Sequence, residues 1–183
     1  MQTQNRIPFQ ILSYTALVSL FLLSLSAFVG CQPDSQAEQA ETYAQPHVKA
    51  SNPVAAGRYL AIVGGCNDCH TDGYLQNEGQ IPEEDWLTGS VLGWRGPWGT
   101  TYPQNLRLRV QEMTEDAWVD VLHSRTALPP MPWMNVNQMA EQDARALYQY
   151  IKSLGAKGEP MPLAIPPDQE PSTPYLLLEP QNM

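Results

Sequence analysis

Apolar positions along the 183 residues fall into three textures. Residues 1–30 hold a long apolar stretch, strongest from Ala16 to Val29, with no acid and one basic residue, Arg6. From Asn52 onward the apolar spacing turns helical. Ser51 or Asn52 can cap, Pro53 suits a first turn, and the pattern predicts a helix over 54–65, released at Gly64-Gly65. Thr114 with Glu115 and Asp116 behind it marks the start of a second helix, a cap followed by first-turn acids. A third runs from about Ala140 to Leu154 and stops at Gly155. Its Ala144, Leu147, Tyr148 and Ile151 recur at helical spacing and form a core face, with Tyr150 and Leu154 along a second edge. No alternating strand is visible, so the predicted class is all-α. Residues 158–183 have a third texture: seven prolines mark an extended, polyproline-like tail. Within it Tyr175-Leu176-Leu177-Leu178 is too apolar to stand in water; it either packs across its own domain, the favoured reading, or docks on a partner.

The apolar run of residues 16–29 is shorter than a bilayer span and suits a signal-peptide core. It ends in Ser26-Ala27-Phe28-Val29-Gly30-Cys31, which resembles a bacterial lipoprotein signal cleaved before a lipidated cysteine. The competing reading is an uncleaved anchor helix from about Ile11 to Val29. Either places the rest of the chain outside the cytoplasm on a membrane; Gln32 after Cys31 favours the outer membrane over the inner. Residues 31–50 then form a lipidated cysteine and a polar, Gln/Ala-rich tether without apolar periodicity. The remaining divisions are a domain over 51–157 and the tail over 158–183. Residues 31–183 carry nine basic and 19 acidic side chains. With a pI near 4.6, no basic patch dominates the surface, which argues against a nucleic-acid partner.

Three cysteines make an odd number and disfavour a simple disulfide framework. Two of them stand in Cys66-Asn67-Asp68-Cys69-His70, the C-x-x-C-H attachment signature of c-type haem. Two thiols three positions apart on one helical turn can form thioethers with the two vinyl groups of one porphyrin. His70 is then placed under the iron with Nε2 as ligand, and its Nδ1–H is expected to bond a backbone carbonyl that fixes the ring. A Cys66–Cys69 disulfide in a thioredoxin-like site would want a βαβ context. A zinc site would need a closed tetrahedral set, with only distant His123 or His47 to complete it.

The arrangement resembles the class I c-type cytochromes, in which an N-terminal helix ending in CxxCH crosses a C-terminal helix. In detail it is similar to the haem domains of cytochrome subunits of bacterial membrane-bound alcohol and gluconate dehydrogenases. The matching stretches are GRYLAIVGGCNDCHTDGY, WLTGS, GPWGTTYPQNL, PPMPW and DARALYQYIKSL. Those subunits usually carry three haems where this chain has one CxxCH, and Arg107 replaces the usual Thr-Pro. The resemblance implies a class I cytochrome c fold around one covalent haem and a methionine as sixth ligand. Met131, in Pro129-Pro130-Met131-Pro132, occupies the matching place, where flanking prolines stiffen the strap. Met134 and Met139 compete from nearby, and Met113 and His123 from further away. His123 otherwise reads as a solvated cation at its helix end. Arg95, Trp98, Tyr102 and Asn105 supply donors for the haem propionates, unless this is a solvated loop with ordinary ion pairs. Six carboxylates between Asp68 and Asp85, with no Lys or Arg among them, offer a docking face for a basic partner or a plain solvated face.

His–Met ligation fills both axial positions and raises the reduction potential, which suits a carrier without a substrate of its own. The expected function is single-electron transfer between envelope redox proteins, in the periplasm and on a lipid anchor. The alternative is a fixed electron-accepting subunit of a membrane dehydrogenase or respiratory complex. A gas sensor or enzyme would need an open iron position, and a single CxxCH excludes two-haem peroxidases.

Overall fold

A computed structural model describes residues 46–179. Cys31 and the apolar run of residues 16–29 lie outside the described residues. Among the described residues no helix is long and apolar enough to cross a membrane.

The first helix, α1 (Pro53–Val63), starts where Asn52 Oδ1 accepts from the Ala55 amide at 2.9 Å. It ends at Gly64, and Gly65 turns left-handed (φ 67°) into the short helix α2 (Cys66–His70). Helix α3 (Leu106–Arg109) is capped by Asn105, and α4 (Glu115–Ser124) by Thr114 Oγ1, which accepts from Ala117. A short α5 (Trp133–Val136) precedes α6 (Glu141–Ser153).

Helix α6 is the hub. Its Ala144, Leu147, Tyr148, Tyr150 and Ile151 are buried, as the helical spacing predicts. Helix α1 packs on it so closely that a Cβ at Gly57 would sit 2.0 Å from the Ala146 carbonyl oxygen. Only glycine admits that approach. Helix α4 meets α6 through Trp118, whose indole Nε1 donates to the Ala144 carbonyl at 3.1 Å. Trp86, Leu87 and Val110 complete the core.

The expectation of an all-α class I cytochrome c fold is overturned by a three-stranded mixed sheet of order β2-β1-β3; the fold is mixed α/β. Strands β1 (Gly93–Gly96) and β2 (Gly99–Thr101) form an antiparallel hairpin in which Trp94 faces Thr101 and Gly96 faces Gly99. Strand β3 (Tyr175–Leu177) runs parallel to β1, with Trp94 opposite Leu176. Strands of three and four residues are too short for alternation to show in sequence. Strand β3 also depends on a partner some eighty residues away. The proline-rich tail therefore folds back: besides β3, Ile165 bridges Thr100, and their backbone groups exchange bonds of 2.8 and 2.9 Å. Its apolar Tyr175–Leu178 run lies on its own chain. At the other end, the Val48 amide donates to Asp143 Oδ1 at 2.9 Å, so residues just before 51 already contact α6.

Candidate functional site: the cysteine–histidine turn

Helix α2 presents Cys66 and Cys69 as half-buried thiols that are not bonded to each other. Burial pushes the Cys66 thiol up to about 11, against lowering by a backbone hydrogen bond, and raises Cys69 as well. Both are therefore neutral thiols at pH 7, unlike the depressed thiolate of a redox-active disulfide site. Among the described residues no three His, Cys, Asp or Glu side chains converge to hold a metal ion. That leaves the tetrahedral zinc reading without a ligand set.

His70 Nδ1 lies 2.7 Å from the carbonyl oxygen of Gln104, a backbone partner of the kind expected. Burial lowers the His70 pKa, with the Gln104 bond acting the other way, so the ring is held neutral. A neutral imidazole donating from Nδ1 carries its lone pair on Nε2, the form that ligates a metal. Nε2 has no hydrogen bond among the described residues.

The turn is fastened from several sides. Thr71 Oγ1 donates to Asn67 Oδ1 at 2.7 Å and accepts from the Leu87 amide at 2.8 Å. Leu87 is fully buried with φ 62°, an uncommon conformation for a branched side chain. Its carbonyl accepts from Leu106 and Arg107, and the Gly89 amide donates to the His70 carbonyl at 2.8 Å. Beside the turn, Cys69 opens onto a shallow cleft whose walls include Leu75, Leu92, Trp94 and Leu176. Of these four, only Leu176 stands out in the sequence, as part of the apolar run of the tail. Leu92 and Trp94 reach the cleft through the sheet, which explains their omission.

The four expected propionate donors do not stay together. Arg95 Nη1 donates to Thr100 Oγ1 (3.1 Å) and the Gln169 carbonyl (2.8 Å), while Nη2 serves the Pro167 carbonyl and Glu170. Tyr102 Oη shares a 2.9 Å bond with Thr173. Asn105 caps α3 and donates both amide protons to the carbonyls of Lys157 and Glu159. These three are committed to the returning tail. Trp98 differs: its Nε1 is buried with no hydrogen-bond partner. A buried N–H left unpaired is costly, so this donor fits an acidic group on a ligand.

Five methionines lie among the described residues. Met113 and Met139 pack on the core, and Met134 is 73% exposed. Met161 lies against Gly89. The next residue's carbonyl, Pro162, accepts from Gln104 Nε2 at 3.4 Å. Met131, like Met161, is half-buried outside the core; it lies in a strap tied to β2 by Thr101 Oγ1 donating to the Pro129 carbonyl at 2.6 Å. His123 Nε2 is 2.9 Å from the Met139 carbonyl, so it is bound to backbone rather than simply solvated.

The acidic run is partly neutralised. Glu83 pairs with Arg58 at 3.0 Å, Asp85 with Lys157 at 2.5 Å, and Asp72 accepts from Ser90 at 2.6 Å. Arg107, which stands in place of the expected Thr-Pro, is buried and donates to the carbonyls of Glu84, Leu154 and Gly155, closing the C-terminal end of α6. Comparison with protein-family profiles, curated proteins and solved structures found no match.

Proposed function

We propose that the chain is a monohaem c-type cytochrome that carries single electrons between redox proteins of a bacterial envelope, held to the membrane by lipid on Cys31. The observation that carries this reading is the turn itself. Two thiols sit on one helical turn, beside a histidine whose Nδ1 is committed to Gln104 and whose Nε2 has no hydrogen bond among the described residues.

Cys66 and Cys69 would hold the haem as thioethers, with His70 and Met131 as axial ligands. Such a group supplies a one-electron iron couple whose potential a thioether ligand raises. The chain's own residues supply the surroundings. The Gln104 carbonyl fixes the His70 ring and raises its basicity. Leu92, Trp94 and Leu176 line the cleft at Cys69. Trp98 Nε1, buried and unpartnered among the described residues, would be the donor available to a haem carboxylate. With His70 and Met131 both holding the iron, the chain would act as a carrier whose partners are other redox proteins.

Thioethers survive denaturation, so haem is expected to migrate with the polypeptide on a denaturing gel, read by peroxidase staining. Replacing Cys66 and Cys69 by Ala removes the stain and most of the accumulated protein. A stable, folded, haem-free double variant, or a wild-type chain without covalent haem, overturns the reading.

A further inference from the structure

We propose that Asn105 is a positioning residue for His70, acting by fastening the C-terminal segment 157–162 against the loop whose Gln104 carbonyl holds the imidazole. The inference rests on the haem reading for its meaning, but its geometry stands on the chain alone. Asn105 is 3% exposed and every polar atom of its amide is used. Oδ1 accepts from the Leu108 amide at 3.1 Å, and Nδ2 donates to Lys157 and Glu159 carbonyls at 2.8 and 3.2 Å. Gln104 Nε2 adds a bond to the Pro162 carbonyl.

The loop 103–106 is thereby clasped from two sides. Residues 87–90 hold one side, through Ser90 N to Pro103 O (3.2 Å) and Leu106 N to Leu87 O (3.0 Å). The tail holds the other. Gly158, at φ 78°, lets the tail pass close, since a Cβ there would stand 3.2 Å from Asn105 Nδ2. A hydrogen bond weakens steeply once its acceptor is misaligned. The quality of the 2.7 Å His70–Gln104 bond therefore depends on where this clasp holds the carbonyl. A tighter bond makes the imidazole a stronger donor and favours ferric iron, so loosening the clasp raises the potential.

Asn105→Ser separates the two jobs of the residue. Serine keeps a capping oxygen for α3 but has no donor long enough to reach the tail carbonyls. Gln104→Ala loosens the same clasp by a different route and leaves the backbone carbonyl in place. The readout is exchange of the His70 Nδ1 proton, followed by nitrogen-15 NMR on the full-length reduced protein. The Trp118 Nε1 proton, bonded to Ala144 in the distant core, serves as reference for global opening. The expected result is about tenfold faster His70 exchange in Asn105→Ser, the order set by losing one or two net hydrogen bonds. A smaller acceleration follows in Gln104→Ala, with Trp118 unchanged in both and the midpoint potential raised in Asn105→Ser. Unchanged His70 exchange in both variants, or acceleration matched by Trp118, overturns the proposal. A chain lacking covalent haem would defeat the cytochrome reading, while the exchange comparison would still decide whether Asn105 positions His70.

Discussion

The histidine side and the methionine side of the site are built on different terms. His70 sits on a helical turn clasped by Thr71, Leu87, Gly89 and Gln104, each contributing a bond of 2.7 to 2.8 Å. Met131 sits in a strap whose residues from Arg125 to Pro130 are all exposed. That strap is fastened by Thr101 to Pro129, by Arg125 stacked 5.2 Å over the Trp133 ring, and by Asn137 reaching the Arg125 carbonyl at 3.3 Å. Its stiffness comes from prolines rather than from packing. One of the two proposed ligands is thus preset by tertiary bonds, the other by local backbone restriction. Disturbance should therefore reach the methionine first.

The sharpest test removes the softer of the two proposed ligands outright. In the oxidised wild-type protein a weak near-infrared charge-transfer band of thioether-bound ferric haem is expected. Met131→Ala should erase it, admit external ligands such as cyanide or imidazole, and lower the midpoint potential as ferrous stabilisation is lost. Met134→Ala, at a side chain 73% exposed, should leave band and potential as they are. A band that survives Met131→Ala would move the sixth ligand elsewhere and dissolve the contrast between the two sides.

An intermediate effect is expected on the firm side. Arg107 spreads its guanidinium over three backbone carbonyls. Arg107→Ala leaves the end of α6 with orphaned acceptors and should cost about 2–4 kcal/mol, or roughly 10 °C in thermal midpoint for a domain of this size. Lysine cannot reproduce the fork, so Arg107→Lys should recover little. The thioether band at room temperature should stay. Loss of the band together with stability would mean that the two sides are one cooperative unit.

What could be read from the chain divides along the same line. The helical spacing of Ala144, Leu147 and Ile151 announces a buried face because period and burial are both local properties. The chemistry of the turn is equally local: CxxCH dictates a carbonyl partner for His70 Nδ1, although nothing near His70 names Gln104, which lies 34 positions away. The sheet was hidden because β3 joins β1 across the length of the domain. The same return of the tail gives Arg95, Tyr102 and Asn105, expected as ligand donors, partners within the chain. Their residue types are right for a carboxylate, but partners 52 to 75 positions downstream claim them. Arg107 illustrates the opposite case, a departure from the expected Thr-Pro whose reason appears only when the end of α6 is seen beside it.

The smallest effect should come from the side-chain tether of the strap to the sheet. Thr101 Oγ1 donates to the Pro129 carbonyl at 2.6 Å and reaches the Trp94 carbonyl only at 3.5 Å, so the Pro129 bond is the one that matters. Thr101→Val keeps the branched shape suited to β2 and removes the proton, at a net cost of about 1 kcal/mol. Global unfolding, followed by far-ultraviolet circular dichroism, should shift by no more than a few degrees. The strap, by contrast, loses its main fastening to β2, so the thioether band should melt before the helices do and open a gap absent from the wild type. A band and a helix signal that still melt together in Thr101→Val would mean that the prolines alone hold Met131. The strap would then be as firmly preset as the histidine turn.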